Sequence, residues 1–405
     1  MRNGEHNNMK VGGFLFRLAV AISTAFSVTF AGQAQAQTTD KTVTFAGAAY
    51  GGDAASIDKR FPYSRAYEAS LKTTGDSPYK RLLATVNQNP AQHFKLTTGP
   101  IDQLKGRDQA LVVSLVVNTE TVSVERFGAI RKLFVLLRGQ VLFFDFKSMT
   151  VLRSYPVSFG YVDNLDHEPT RAEVLDRVRM VYDGANGKPG LYARFASSVA
   201  EAQLPDQAPR YLQVTHVDVT PEAAAFLPDY LKATPAAAQT WVADMVSEAI
   251  STRIGVPVVP YSKGYAIGNV MSMQIMDGTI YNLKLPQPDY EIDVSLKNFK
   301  KIKYSENAVG TAYIYGSYAD IAIREPLTGA TYLNTSLKNG EVKPVPASQT
   351  WVDDFPAYYD SVNGLFVKLA ESVAGKDTSW VKSAASASDI SSQIDKTMGL
   401  MKLCK

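Results

Sequence analysis

The chain has 405 residues, 42 of them Lys or Arg and 39 Asp or Glu, with a formal net charge of +3 and 45% hydrophobic residues. That share can fill sizeable cores, and at roughly 100–200 residues per domain the length asks for two domains. So even a charge balance argues against a nucleic-acid partner, which needs a concentrated basic face.

The amino terminus reads as a targeting segment. Lys10 and Arg17 supply positive charge, residues 18–31 form an apolar run too short to span a membrane comfortably, and Ala34-Gln35-Ala36 is a small-x-small cleavage site. Residues 1–36 are therefore expected to be a signal peptide, with Met1 or Met9 as the start. The expected destination is the periplasm, with the extracellular medium as the alternative. Cys404 is the only cysteine, so neither a lipid anchor on a mature amino-terminal cysteine nor an internal disulfide is available.

A short alternating strand is expected at 42–45, then a helix over 63–87 broken near Gly75 and Pro78, then a strand at 93–97. Runs rich in Val, Ile, Leu and Phe follow at 110–117, 121–127, 132–146 and 151–162, with turns at Gly128 and Gly139. A helix over 170–182 places Val174, Val178 and Val181 on one face, and another is expected over 191–202. The stretch 204–210 (LPDQAPR) reads as a linker.

The same order then returns. A strand at 211–219 precedes a helix over 237–252, where Trp241, Met245 and Ala249 form one buried stripe. A strand at 256–261 follows, then a sheet containing an Asp277-Gly278 hairpin and strands at 290–304 and 312–324. A helix over 351–374 closes this part, and Ile390, Ile394, Met398 and Met401 mark a terminal amphipathic helix. Phe61 and Trp241, Asp145 and Glu325, and Thr170 and Thr350 each stand 180 residues apart. One offset for three registers points to two tandem copies, far beyond the roughly 20–50-residue period of a solenoid. Asp145 with Ser148 and Glu325 with Thr328 repeat an acid followed three positions later by a hydroxyl, a structural turn.

The expected fold is α+β, with mixed α/β as its variant. It comprises a first αβ domain at 37–203, a related second at 204–375 and a helical tail at 376–405. Each domain would be a mostly antiparallel sheet covered by helices. This layout resembles the tandem αβ domains of bacterial envelope-assembly proteins: flagellar assembly protein T, the periplasmic part of the curli-secretion channel, and the amino-terminal domain of TolB. The resemblance implies a periplasmic assembly factor. It departs from that pattern in lacking the curli channel's lipidation cysteine and TolB's propeller repeats.

Candidate chemistry is sparse. Asp163, Asp166, His167 and Glu168 combine carboxylates with an imidazole, a donor set for a divalent cation, although their spacing matches neither a calcium loop nor an HExxH helix. His216 and Asp218 share a strand face, yet no recognisable nucleophile accompanies them, Cys404 sitting in an expected frayed tail. His93 is a lone strand histidine. Lys297, Lys300, Lys301 and Lys303 interleave with Phe299 and Tyr304; such a run can guard a strand edge or make peripheral contact with a membrane. Tyr304, Tyr313, Tyr315 and Tyr318 are candidates for a partner-binding surface. No cofactor motif is present. The expectation is a non-catalytic protein that binds envelope protein partners; the alternatives are an exported metal-dependent hydrolase using 163–168, or a carrier of a hydrophobic ligand.

Overall fold

The computed structural model describes residues 41–106, 110–127, 129–204, 209–232, 235–261, 266–267, 269–348 and 352–405. The expected signal peptide, Gly128, Thr350 and most of the 204–210 linker lie outside the described residues.

The fold is mixed α+β. Strand β1 (Thr42–Gly51) leads through the short helix α1 (Ile57–Arg60) to α2 (Pro62–Thr73) and α3 (Pro78–Gln88). The expected break separates α2 from α3, with Gly75 at φ 72°. Then come β2 (Lys95–Thr98) and a meander of three long strands, β3 (Leu111–Phe127), β4 (Ile130–Asp145) and β5 (Thr150–Leu165). Helices α4 (Arg171–Asp183) and α5 (Leu191–Glu201) follow, joined through a hairpin of two-residue strands, β6 (Gly184–Ala185) and β7 (Lys188–Pro189). A capping box opens α4: the Thr170 hydroxyl accepts the Glu173 N–H while the Glu173 carboxylate accepts that of Thr170.

The second half starts with β8 (Leu212–Val219), the short helices α6 (Pro221–Ala224) and α7 (Asp229–Lys232), and α8 (Pro235–Ile254). Three short strands intervene, β9 (Ala266–Ile267), β10 (Val270–Ile275) and β11 (Ile280–Lys284). A second long meander follows, β12 (Tyr290–Asn307), β13 (Gly310–Arg324) and β14 (Thr331–Pro346), then α9 (Phe355–Val373), α10 (Ser379–Ala384) and α11 (Ile390–Leu403).

The larger sheet runs β2-β1-β3-β4-β5-β11-β10-β9, and β1 also pairs with β10, so β1, β3, β4, β5, β11 and β10 close into a ring. Its interior holds Val112, Val116, Leu142, Phe144, Met271, Met273, Ile275 and Leu283. Its outer face packs on α2 to α5 through residues such as Leu71, Val178 and Phe195. The smaller sheet runs β14-β13-β12-β8, with one face on α8, α9 and α11. The two halves share a strand order. A first strand lies parallel to the opening strand of an antiparallel meander, β1 with β3 and β8 with β12. Val259 bridges Gln213 in the parallel sense, the place β2 takes beside β1. The two acid-plus-hydroxyl turns also correspond. The Ser148 hydroxyl donates to Asp145 at 3.1 Å and that of Thr328 to Glu325 at 2.6 Å.

Several expectations need correction. The Asp277-Gly278 hairpin joins the first half's sheet, pairing with β1 and β5, so the 203/204 boundary is crossed by sheet pairing. The described residues from Lys41 onward accordingly form one compact unit. Residues 256–261 make a single bridge rather than a strand, and β14 was not anticipated. Cys404 is not frayed: it is fully buried, and Arg153 donates to its carbonyl at 2.6 Å. Burial pushes its thiol up to about 12.

Candidate functional site

A β-bulge lies beside a cleft between the two halves of the chain. The register of β3 on β4 shifts between Val117 and Thr119, leaving Asn118 as the extra residue. Opposite it stands Gly139, where a Cβ would lie 2.6 Å from the Val116 carbonyl oxygen. Only glycine lets the two backbones approach this closely. Beyond the bulge the meander leaves the ring and faces the helices of the second half across a cleft of about 600 Å³.

One wall is sheet, with Val122 on β3, Phe134 and Leu136 on β4 and Val162 on β5. The other is helical, with Tyr230 on α7, Trp241 on α8, and Phe355 and Tyr359 on α9. The aromatic rings contact one another: Trp241 lies 6.0 Å from Phe355 and 6.2 Å from Tyr359, and Tyr230 lies 6.4 Å from Phe355. The stripe expected at Trp241, Met245 and Ala249 does bury all three, while Trp241 also lines the cleft.

Charges sit at both ends. On one side Lys132 donates to Glu125 and to Asp353, each at 2.9 Å. Burial, and then the nearby Asp353, push the Glu125 carboxyl up to about 7. Glu120 accepts the N–H groups of Tyr63 at 2.9 Å and Ser64 at 2.6 Å, at the start of α2, and burial raises its pKa. Arg138, only 5% exposed, lines the floor beside Asp244, 4.0 Å from Glu248. Glu248 in turn accepts the Ser158 hydroxyl at 2.7 Å. A charged residue inside the apolar run LFVLLRGQVLFF was the one signal in the sequence that pointed here.

The expected metal ligands are not brought together. Asp163 accepts from Arg177 at 2.7 Å, and Glu168 accepts from Arg126 and Arg131 at 2.6 Å, contacts that lower the Glu168 pKa. Asp166 meets one His167 nitrogen at 2.8 Å and Glu173 the other at 3.0 Å. Among the described residues no group of three His, Cys, Asp or Glu side chains could hold a metal ion. His216 and Asp218 are both exposed on β8, and Asp218 accepts the Ser295 hydroxyl at 3.0 Å. His93 is exposed and precedes β2.

The four tyrosines range from buried to exposed, and the rings of Tyr313 and Tyr315 lie 6.4 Å apart. Tyr315 is buried, donating to Asp354 at 2.6 Å and packing 5.2 Å from Tyr358. Tyr313 and Tyr318 lie under Lys301 and Lys300, at 4.5 and 5.2 Å, while Tyr304 is 67% exposed. The lysine run does lie along an edge: β8 accompanies β12 only through Leu296, before the first of the four lysines.

No family model matches the chain, and no curated protein does. Among solved structures it is similar to a Xanthomonas campestris protein of the DUF330 family model, at 12% identity over 42% of this chain and 87% of that one, with a TM-score of 0.19. It is also similar to a putative neuraminyllactose-binding hemagglutinin homolog from Helicobacter pylori. There the identity is 9% over 49% of this chain and 96% of that one, with a TM-score of 0.22. Similarities at this level carry no functional argument.

Proposed function

We propose that the chain is a non-catalytic exported carrier whose cleft takes an apolar small molecule. The carrying observation is the cleft itself, about 600 Å³ with facing walls of aliphatic and aromatic side chains and charged residues around them. Cavities of roughly 300–1,000 Å³ built this way are the usual form of a small-molecule site. The shared strand order supports a duplicated αβ unit, with β9, β10 and β11 as an addition.

The neutral fluorophore N-phenyl-1-naphthylamine provides the test. Saturable one-to-one binding with raised emission is expected, and Leu136→Glu, which places a charge in the apolar wall, should weaken it at least tenfold. Absent binding, or binding indifferent to that substitution in a variant of unchanged melting temperature, would sink the carrier reading.

A second reading, protein binding, has its own support at the far end of the β12–β14 meander. Ile302, Tyr304, Val309 and Val342 are 49%, 67%, 79% and 54% exposed there. Apolar residues grouped outside a core often mark an interface. Crosslinking in intact cells should recover an envelope partner that Ile302→Asp with Val342→Asp abolishes; an unchanged crosslink would count against this surface.

A further inference from the structure

The two walls of the cleft are joined differently at its two ends. Lys132, Phe134, Leu136 and Arg138 line it at alternate places along one face of β4, so it follows that strand for about 20 Å. At the inner end, beside the bulge, Glu248 of α8 accepts the Ser158 hydroxyl of β5 at 2.7 Å and stands 4.0 Å from Arg138. At the outer end, beside the β3–β4 hairpin, Lys132 donates to Asp353, just ahead of α9, at 2.9 Å. Glu125 competes for that ammonium from Lys132's own wall. It is the cross-strand neighbour of Lys132, accepts from it at 2.9 Å, and lies within hydrogen-bond reach of Asp353.

With its proton in place, Glu125 donates to Asp353 and leaves the ammonium to it, so two bonds cross the mouth. Without the proton, the ammonium is divided between two carboxylates that repel each other across the gap. The side chains of Lys132, Glu125 and Asp353 are 16%, 23% and 17% exposed, so water screens that repulsion poorly.

The charged groups around the trio hold their states near neutrality. Tyr230 of α7 feels Glu125, Asp353, Arg138 and Tyr359, and burial raises both tyrosines above the ordinary value. Arg138 stays charged as a guanidinium. Asp354 is turned to Lys301 and Tyr315, Asp360 of α9 to Lys343, and Arg126 and Arg131 to Glu168. Glu120, also raised by burial, is held by the Tyr63 and Ser64 N–H groups. Glu125, titrating near 7, changes charge in this range.

We propose that Glu125, Lys132 and Asp353 form a proton-operated clasp over the outer end of the cleft, closed while Glu125 is protonated and released when it ionises. The inference goes beyond the carrier reading, since it needs the cleft and not its occupant. It makes entry to the cleft easier above neutral pH than below it.

Paired nitroxide labels read the gap directly in the full-length chain. Val162→Cys places one on the sheet wall and Ala236→Cys one on the helical wall, both at exposed lining positions, while the native Cys404 is buried. Pulsed electron paramagnetic resonance at pH 5.5 should give a narrow distance distribution. At pH 8.5 the distribution should be broader and longer by several ångströms. Glu125→Gln, whose amide still donates to Asp353, should hold the short distance at both. Asp353→Asn should show the long one at both, with melting temperatures establishing that each variant is folded. Equal distributions at the two pH values in the labelled parent overturn the clasp. So does a pH response that survives Glu125→Gln. Because no ligand enters this measurement, the two readings fail separately: a cleft that opens with pH yet binds no N-phenyl-1-naphthylamine removes the carrier alone.

Discussion

One ammonium between two carboxylates, Lys132 between Glu125 and Asp353, dominates the rim of the cleft. Because Glu125 titrates near 7, above the ordinary carboxylate value of 4.5, the folded chain holds this proton more tightly than the unfolded chain does. Its contribution to stability is therefore fully present below about 4.5 and is lost as pH rises through about 7. Between pH 5 and pH 7.5 the urea midpoint of the wild type should fall further than that of Glu125→Gln. Parallel midpoints in the two proteins would rule out this role for Glu125. Little of the arrangement is legible in sequence. Glu125 and Lys132 flank a hairpin, and Asp353 reaches Lys132 only because the fold brings it from 221 positions away. The opposite error arose at Asp163 to Glu168. There adjacency in the chain imitated a ligand set, while two of the four carboxyl and imidazole groups answer to arginines on neighbouring elements.

Strand and helix periodicities were readable because each is written in one segment: Val174, Val178 and Val181 all face the core. β14 escaped notice because half of its inward positions are polar. Thr335 and Asn339 alternate with Leu333 and Leu337, and the Asn339 amide donates to the Ser361 carbonyl at 2.8 Å. The β10–β11 hairpin announced its turn but not its partner, since alternation reveals which face is buried and never against what. That partner matters energetically. Met271, Met273, Ile275 and Leu283 are each no more than 5% exposed. At roughly 1.5–3 kcal/mol per buried side chain, an upper bound, the hairpin supplies stabilisation comparable to the ~5–15 kcal/mol net stability of a whole domain. Residues 41–203 produced alone should therefore fail to fold as a soluble unit, and supplying 204–405 in the same cell should rescue them. A truncated first half that stays monomeric and melts cooperatively would show that the hairpin is dispensable.

At the scale of the molecule, the common offset of 180 residues pointed to two tandem copies, and each half of the chain carries a parallel strand beside a long meander. What the offset could not convey is that the second half lends a piece of itself to the first. Ala49 stands across the sheet in register with Ile275 and Lys284 with Thr150; the Met276 N–H donates to the Ala48 carbonyl at 3.0 Å and the Lys284 N–H to that of Met149 at 2.7 Å. The ring is thus sealed by chain that leaves the ribosome long after β1, so its apolar lining stays open throughout the intervening synthesis. Contacts between such distant segments form slowly, because the entropy of bringing them together precedes any reward. A chain built this way folds last where it begins first, and its earliest strand depends for shelter on other hands until the late hairpin arrives.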